Sequence, residues 1–596
     1  MSNYNVNNYT ISTLLGWIRD GQVAIPEIQR PFVWKKSKVR DLIDSLFKNY
    51  PVGYIITWKN PDVRLKDGSL SQGKNILIDG QQRVTALMAA ISGEPVIDHN
   101  YSKGRITIAF NPKTRVFEVS NAAIIKDEAW IPDISALFKP DFSQYQFIMD
   151  YCEKHPDVNP DKLNQRIQKL INIKNNQIGI IELNSELGID TVNQIFVRIN
   201  SQGTSLSQSD FVMSKIAVNN VYNGPLIRKT IDYFANVIQT PSNLQTILNN
   251  DSEFTQSDYF HLIKWVTNYE SSVFLPKYND IIRVIFAVKF KRGRMSDLVS
   301  LLSGRNFETR GYEDRIIQET FTLLDEGLKQ FLNEINFKRF CMIIKSIGVV
   351  DKKMITSQNN INFAYALFLL LREKGYADHI VQKVVRKWYV LATLTGKYSS
   401  SPESQIDFDI KRFNEQDPEV YLHRTEQGEL GDSYWETILP DNYNTNSIRS
   451  PYFNVFLMAQ VFNKTKAFLS DKITVQQLLE ERGDLHHIFP KNYLVKNGFK
   501  QNQYNQLSNY VYAEQPINIR ISNHAPKEYL GRIMEQIKSG QLELGEIQSI
   551  QKLEQNFKEN AIPLNLIGMD IASYNDFLND RRQLMSEVVR LYYNEL

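Results

Sequence analysis

An apolar strand, Ile76–Ile78, runs straight into Asp79-Gly80-Gln81-Gln82-Arg83, and a helical pattern over Val84–Ile91 begins at once. A strand that hands over to a helix within so few residues needs a position free to turn sharply. Gly80 supplies it. The start of that helix offers free N–H groups and a positive dipole end, and Arg83 adds a planar fork of donors, so the turn can hold a phosphate. Asp79 can hold a metal or position water. The same residues serve equally well as caps of an ordinary strand–turn–helix. No G-x-x-x-x-G-K-[ST] occurs in the chain, which excludes an ordinary P-loop NTPase.

The rest of the first third mixes strands and helices. Val39, Leu42, Ile43, Leu46 and Phe47 share one helical face, which Ser37 can cap and which Pro51 and Gly53 end. Tyr54–Trp58 reads as a strand, and RITIAF-NPKT-RVFEV as a hairpin turning at Asn111–Thr114. Two further motifs lie on either side, IPEIQRPFVW at Ile25–Trp34 and IFVRINSQGTSLSQSDF at Ile195–Phe211. In the second of these Gly203 permits a tight turn and Ser207 with Asp210 can cap the next helix. From about 225 to 440 the pattern is helical throughout. Its longest apolar run, Phe363–Leu371, is far too short to span a bilayer and reads as a core helix ending before Gly375. Thr474 and Gln477 form a capping box further on, with Gly483 as an end signal.

Composition narrows the classes. With 42% hydrophobic and 23% charged residues in 596, the chain can bury large cores, in about three or four folding units. A net charge of +3 neither requires nor excludes nucleic acid, so any basic surface is local. The two cysteines, Cys152 and Cys341, offer neither a disulfide framework nor zinc spacing. With a polar N-terminus lacking a signal-peptide pattern, this predicts a cytoplasmic protein without a membrane partner.

Near the C-terminus stand DLHHIFPKNYL, then LSNYVY, then PINIRISNHAPKEYL. Phosphodiester hydrolysis needs a base, a cation against the developing charge, and a frame that holds both. A histidine suits the base. An imidazole and an amide oxygen can hold one hard cation while leaving positions for phosphate and water. His486 and His487 are adjacent and so point to opposite faces of a strand, which gives them different jobs. Asn509 and Asn518 follow 22 and 31 residues after His487. Asp484–Arg532 holds six Lys/Arg against three Asp/Glu, a local excess that draws in a polyanion. The plainer alternative is a satisfied histidine pair in a loop with asparagines as turn residues.

On these residues, Asp484–Leu530 resembles the HNH (His-Me finger, ββα-metal) domain at the C-terminus of GmrSD-type restriction endonucleases. The resemblance implies His487 as general base, His486 and Asn518 as metal ligands and Asn509 as the brace that orients the base; His524, close by in the sequence, is a candidate phosphate contact. Many HNH sites have Asp where this chain has His486. The three N-terminal motifs likewise resemble the GmrS-type domain, which is similar to the ParB/sulfiredoxin nucleotide-binding fold. That implies binding and hydrolysis of NTP by Gln29, Arg30, Asp79, Gly80, Gln81, Gln82 and Arg83, with Arg198 and Asn200 behind them. Ser201-Gln202-Gly203 departs from the Gly-Gly pair frequent in that family. Arg386–Ser404 also resembles the family's middle region.

The expectation is therefore a multidomain α+β chain. Residues 1–224 form a nucleotide-binding sensor of ParB/sulfiredoxin type, 225–440 a helical middle, and 441–596 a helical domain with an embedded ββα-metal nuclease. Its implied activity is nucleotide-regulated endonucleolytic cleavage of double-stranded, foreign and modified DNA with Mg²⁺ or a similar divalent cation. A homo-oligomer is left open. The competing reading is an NTP-dependent DNA-binding or adaptor protein with an inactive HNH fold.

Overall fold

The computed structural model describes residues 3–24, 34–59, 75–97, 103–185, 187, 191, 207–217, 219–269, 273–481, 483 and 485–596. They are mixed α/β and mostly helical. They group into two compact units. One comprises Met1–Asn268 with Met295–Asp325, the other Tyr269–Arg294 with Glu326–Leu596.

The first unit is built on a five-stranded mixed sheet. Its order is Tyr4–Thr10, Gln177–Leu183, Ile55–Lys59, Asn75–Asp79 and Val23–Ala24. The first strand runs antiparallel to the second, from Tyr4 opposite Leu183 to Thr10 opposite Gln177. Gln177–Leu183 and Ile55–Lys59 are parallel, and Ile55–Lys59 is antiparallel to Asn75–Asp79. Val23–Ala24 is parallel to Asn75–Asp79, so both strands deliver their carboxyl ends to one end of the sheet.

Beside the sheet, the helix Lys36–Phe47 buries Val39, Leu42, Ile43, Leu46 and Phe47, the face read from its spacing. Phe47 packs against Phe110 and Phe117, each pair 5.4 Å between ring centres. Full burial of one such ring contributes roughly 1.5–3 kcal/mol. Phe110 and Phe117 face each other across the hairpin Ile108–Asn111/Val116–Val119. Its turn is locked by the Asn111 side chain, which accepts from the amides of Lys113 and Thr114. One local expectation is corrected: the Lys36–Phe47 helix takes Lys35 as its N-cap, without a side-chain cap, so Ser37 lies inside the first turn.

In the second unit, Gln358–Glu373 is the buried helix foreseen from its apolar run. Ser357 caps its start, and Gly375, at φ +79°, lies just past its end. The Arg386–Ser404 segment enters a buried polar network. Trp388 Nε1 donates to Tyr398, and the hydroxyls of Tyr398 and Tyr421 both donate to Asp409. Among the described residues no helix is long and apolar enough to cross a membrane.

The last helix, Tyr574–Glu595, runs through this unit. Tyr592 donates to the carbonyl of Ile347 at 2.7 Å and Ser586 to that of Trp435 at 2.5 Å. Nearer its start, Tyr574 donates to the carbonyl of Gln503 at 2.9 Å. One core gathers Phe468, Ile488, Phe489, Val511, Ile517 and Phe577.

Candidate active site

At the N-terminal turn, Asn75–Asp79 is a strand and Gln81–Leu87 a helix, with Gly80 between them at φ +92°. A Cβ at Gly80 would stand 2.9 Å from Cγ1 of Ile55, so the position excludes a side chain on two grounds. The polar groups of the turn face inward. Arg83 donates through Nη1 to the carbonyls of Val52 at 3.1 Å and Tyr54 at 2.7 Å, and through Nη2 to Asp79 at 3.1 Å. Gln81 donates to the carbonyl of Leu77 at 3.2 Å. Asp79 and Arg83, which the sequence left open between a phosphate site and a capped turn, are paired with each other, and Arg83 tethers the segment that leads into the neighbouring strand. Gln82 is half-buried on the first turn. The turn leaves the sheet at the end where the parallel strand Val23–Ala24 also ends. Gln29, Arg30, Arg198 and Asn200 lie outside the described residues.

The C-terminal constellation is a two-stranded ribbon followed by a short helix. Leu485–His487 pairs antiparallel with Tyr510–Tyr512, with His486 opposite Val511 and His487 opposite Tyr510. The helix Gln515–Ile521, opened by Pro516, carries Asn518 half-exposed and packs Ile517 and Ile521 into the core shared with Val511. Between the strands lie Lys491–Lys496 and Gln501–Tyr504, both helical.

His487 is half-buried, its ring 4.9 Å from that of Tyr510 and 6.2 Å from that of Tyr504. Nε2 lies 3.0 Å from Oδ1 of Asn505. An amide oxygen only accepts, so the neutral ring carries its proton on Nε2 and keeps the Nδ1 lone pair for another partner. Burial pushes the imidazole below its ordinary value, against the Asn505 hydrogen bond, and the nearby Lys491 and His486 push the same way as burial. His487 is thus held in its proton-accepting form.

Asn509 is wholly buried and touches no solvent. Its side chain accepts from the amide of Phe489 at 2.8 Å and donates to the carbonyls of Phe489 at 3.1 Å and Tyr504 at 3.2 Å. Its own carbonyl accepts from the amide of Ile488 at 2.8 Å. The backbone just after His487 is therefore held at consecutive residues. His524 lies apart from this clamp, against Glu528 at 3.1 Å.

Residues 11–217 match the family model "GmrSD restriction endonuclease, N-terminal domain". The matched stretch takes in all three N-terminal motifs and stops before the His487 ribbon. Over nearly its whole length the chain also resembles an uncharacterized protein, MJ0686, of Methanocaldococcus jannaschii. The two are 23% identical over 590 residues, covering 91% of this chain and 89% of that protein.

Sequence reasoning missed Asn505, the partner of His487 Nε2, and Arg581, whose Nη1 donates to the carbonyls of Ser508 and Tyr510 on either side of Asn509. Asn505 stands among Gln503, Gln506 and Asn509, and no spacing distinguishes it. Arg581 lies 94 residues beyond His487 on an amphipathic helix, where an arginine ordinarily faces water. A carboxamide pattern around a histidine is the only signal that would have drawn attention to Asn505.

Proposed function

We propose that the chain is a nucleotide-regulated, metal-dependent DNA endonuclease that restricts foreign, modified DNA, with an HNH site at the His487 ribbon. The observation that carries this reading is His487 itself. It is a half-buried imidazole whose tautomer is set by Asn505 and whose following backbone is clamped by Asn509. The order of ribbon and helix, with Asn518 on the helix, supports it, as does the GmrSD match at the other end of the chain.

In this reading a water donates its proton to Nδ1 of His487 as its oxygen attacks phosphorus. The P–O bond to the leaving sugar oxygen breaks, that oxygen takes a proton from solvent, and the imidazolium returns its proton to solvent, giving a phosphate monoester and a free hydroxyl. His486 and Asn518 would hold the cation. Such a donor set is thin, and among the described residues no group of three or more His, Cys, Asp or Glu side chains could enclose a metal. It suits a hard ion such as Mg²⁺, which keeps most of its water and takes phosphate oxygens, and not an enclosed structural zinc. When bound, such an ion supplies charge neutralisation at the phosphate. The N-terminal unit would bind and hydrolyse NTP and govern when cleavage occurs.

The test is cleavage of plasmid and phage DNA with Mg²⁺ by wild type and His487→Ala. Cutting by the first and none by the second supports the reading. Equal behaviour across several metals and modified DNAs overturns it in favour of a DNA-binding or adaptor protein with an inactive HNH fold.

A further inference from the structure

We propose that Arg581, on the last helix, is a positioning residue that sets His487 through Asn509; this rests on the nuclease reading above. Arg581 is 0% exposed, and among the described residues no carboxylate pairs with it. Its partners are backbone carbonyls. Nη1 donates to Ser508 at 2.8 Å and to Tyr510 at 2.7 Å, and Nη2 donates to Asn560 at 3.3 Å. Nε has no partner in the structure. Desolvation by burial pushes the guanidinium down to about 9.

A buried cation without a counter-charge is a costly way to fill a core, and an apolar side chain of like volume would fill the space more cheaply. What an apolar side chain cannot do is bond two carbonyls at once. Nη1 carries two hydrogens, and the carbonyls it engages lie on either side of Asn509. One nitrogen therefore fixes the backbone on both flanks of the residue that clamps the chain after His487. The connection continues without a gap. Asn509 holds Ile488 and Phe489, and Tyr510 faces His487 across the ribbon. Arg582 adds a contact from Nε to the Ser508 hydroxyl at 3.3 Å. Lysine, shorter and with a single nitrogen, falls short of the Nη1 position and cannot also hold the Asn560 carbonyl that Nη2 engages.

The test compares wild type, Arg581→Lys, Arg581→Met and His487→Ala in the full chain. It reads kcat for plasmid cleavage with Mg²⁺, the DNA Kd, and hydrogen exchange of individual amides. In Arg581→Lys, kcat falls about tenfold to a hundredfold while Kd changes less than about twofold, the penalty of a reacting group displaced by around an ångström. The amides of Ile488 and Phe489 lose protection, while those of residues 453–461 keep theirs. A wild-type kcat in Arg581→Lys overturns the proposal, as does protection lost evenly across both regions, which marks Arg581 as a general contributor to stability. Should Arg581→Met fail to fold, the lysine variant decides alone. If His487→Ala cleaves like wild type, the nuclease reading falls and this proposal with it; a silent His487→Ala beside a fully active Arg581→Lys overturns the proposal only.

Discussion

The side chain of Asn509 and the backbone of Phe489 bond each other in both directions, at 2.8 Å and 3.1 Å. Phe489 is two residues past His487, so this reciprocal pair fixes where the strand ends and where the imidazole stands. Replacing Asn509 by leucine, of similar size, would leave an amide and two carbonyls buried and unpaired, at about 1–3 kcal/mol for each group left without a partner. Asn509→Leu should therefore lower the urea midpoint of the second unit measurably. It should also abolish plasmid cleavage at temperatures where circular dichroism still shows a folded chain.

A second expectation concerns protonation. Burial depresses the folded His487 below the 6.5 of a free imidazole. In the unfolded chain the ring takes its proton near 6.5, before the native ring does, so between the two values stability rises with pH. The contribution is complete above 6.5 and is lost as pH falls through the folded value. NMR of metal-free protein should place the His487 midpoint below 6.5. His487→Gln should flatten the dependence of unfolding free energy on pH in that window. Asn505→Asp, which sets a carboxylate against Nε2, should move the midpoint upward.

At both ends of the chain, contacts that close locally could be read beforehand and long-range ones could not, for a physical reason. Ser207–Asp210, Thr474–Gln477 and the Asn111 turn close within three residues, and each forms as read. Their geometry needs only local backbone. The Lys36–Phe47 face was legible because a 3.6-residue period survives any partner. Arg83 was not. Whether an arginine beside a helix start faces a phosphate or its own fold depends on carbonyls at Val52 and Tyr54, 31 and 29 residues away. Asn505 and Arg581 are the same kind of case. Each acts through a contact 18 or more than 70 residues distant in sequence.

That inward arrangement of Arg83 makes a prediction about the N-terminal unit. Arg83→Ala should lower its thermal midpoint, because the carbonyls of Val52 and Tyr54 and the carboxylate of Asp79 all lose their partner. A fall in NTP turnover in that variant would thus mix folding with binding. Gln82→Ala leaves the tether intact. If the turn holds nucleotide, calorimetry should show weaker NTP binding by Gln82→Ala while the Arg83 bonds to Val52 and Tyr54 stay in place. Undiminished NTP affinity there would remove Gln82 from the site.

Gly80 offers a sharper control at the same turn. Alanine there must take φ near +92° and bring its methyl within 2.9 Å of Ile55. Strain of this kind costs about 1–3 kcal/mol. Gly80→Ala should destabilise the first unit by that order in urea titration, without altering the exchange of Ile488 and Phe489.

The basic excess around the ribbon can be divided by what each cation already touches. Lys527 is paired with Asp570 at 2.8 Å, Arg532 lies 3.6 Å from Glu543, and Arg520 donates to the carbonyl of Glu543. Lys491 and Lys496 are exposed on the first short helix between the paired strands and Lys500 at the N-cap of the second, with Lys491 5.6 Å from the Tyr504 ring centre. If DNA is cut at the ribbon, these three are the cations that would meet its phosphates; Lys491 already acts on the His487 ring. Each phosphate neutralised contributes about 0.9 to the slope of log affinity against log salt. The triple change Lys491→Gln, Lys496→Gln, Lys500→Gln should therefore weaken DNA binding and reduce that slope by nearly three, measured by fluorescence anisotropy on duplex DNA. Lys527→Gln should leave the slope almost unchanged. An equal loss in both would place the DNA on another face of the unit.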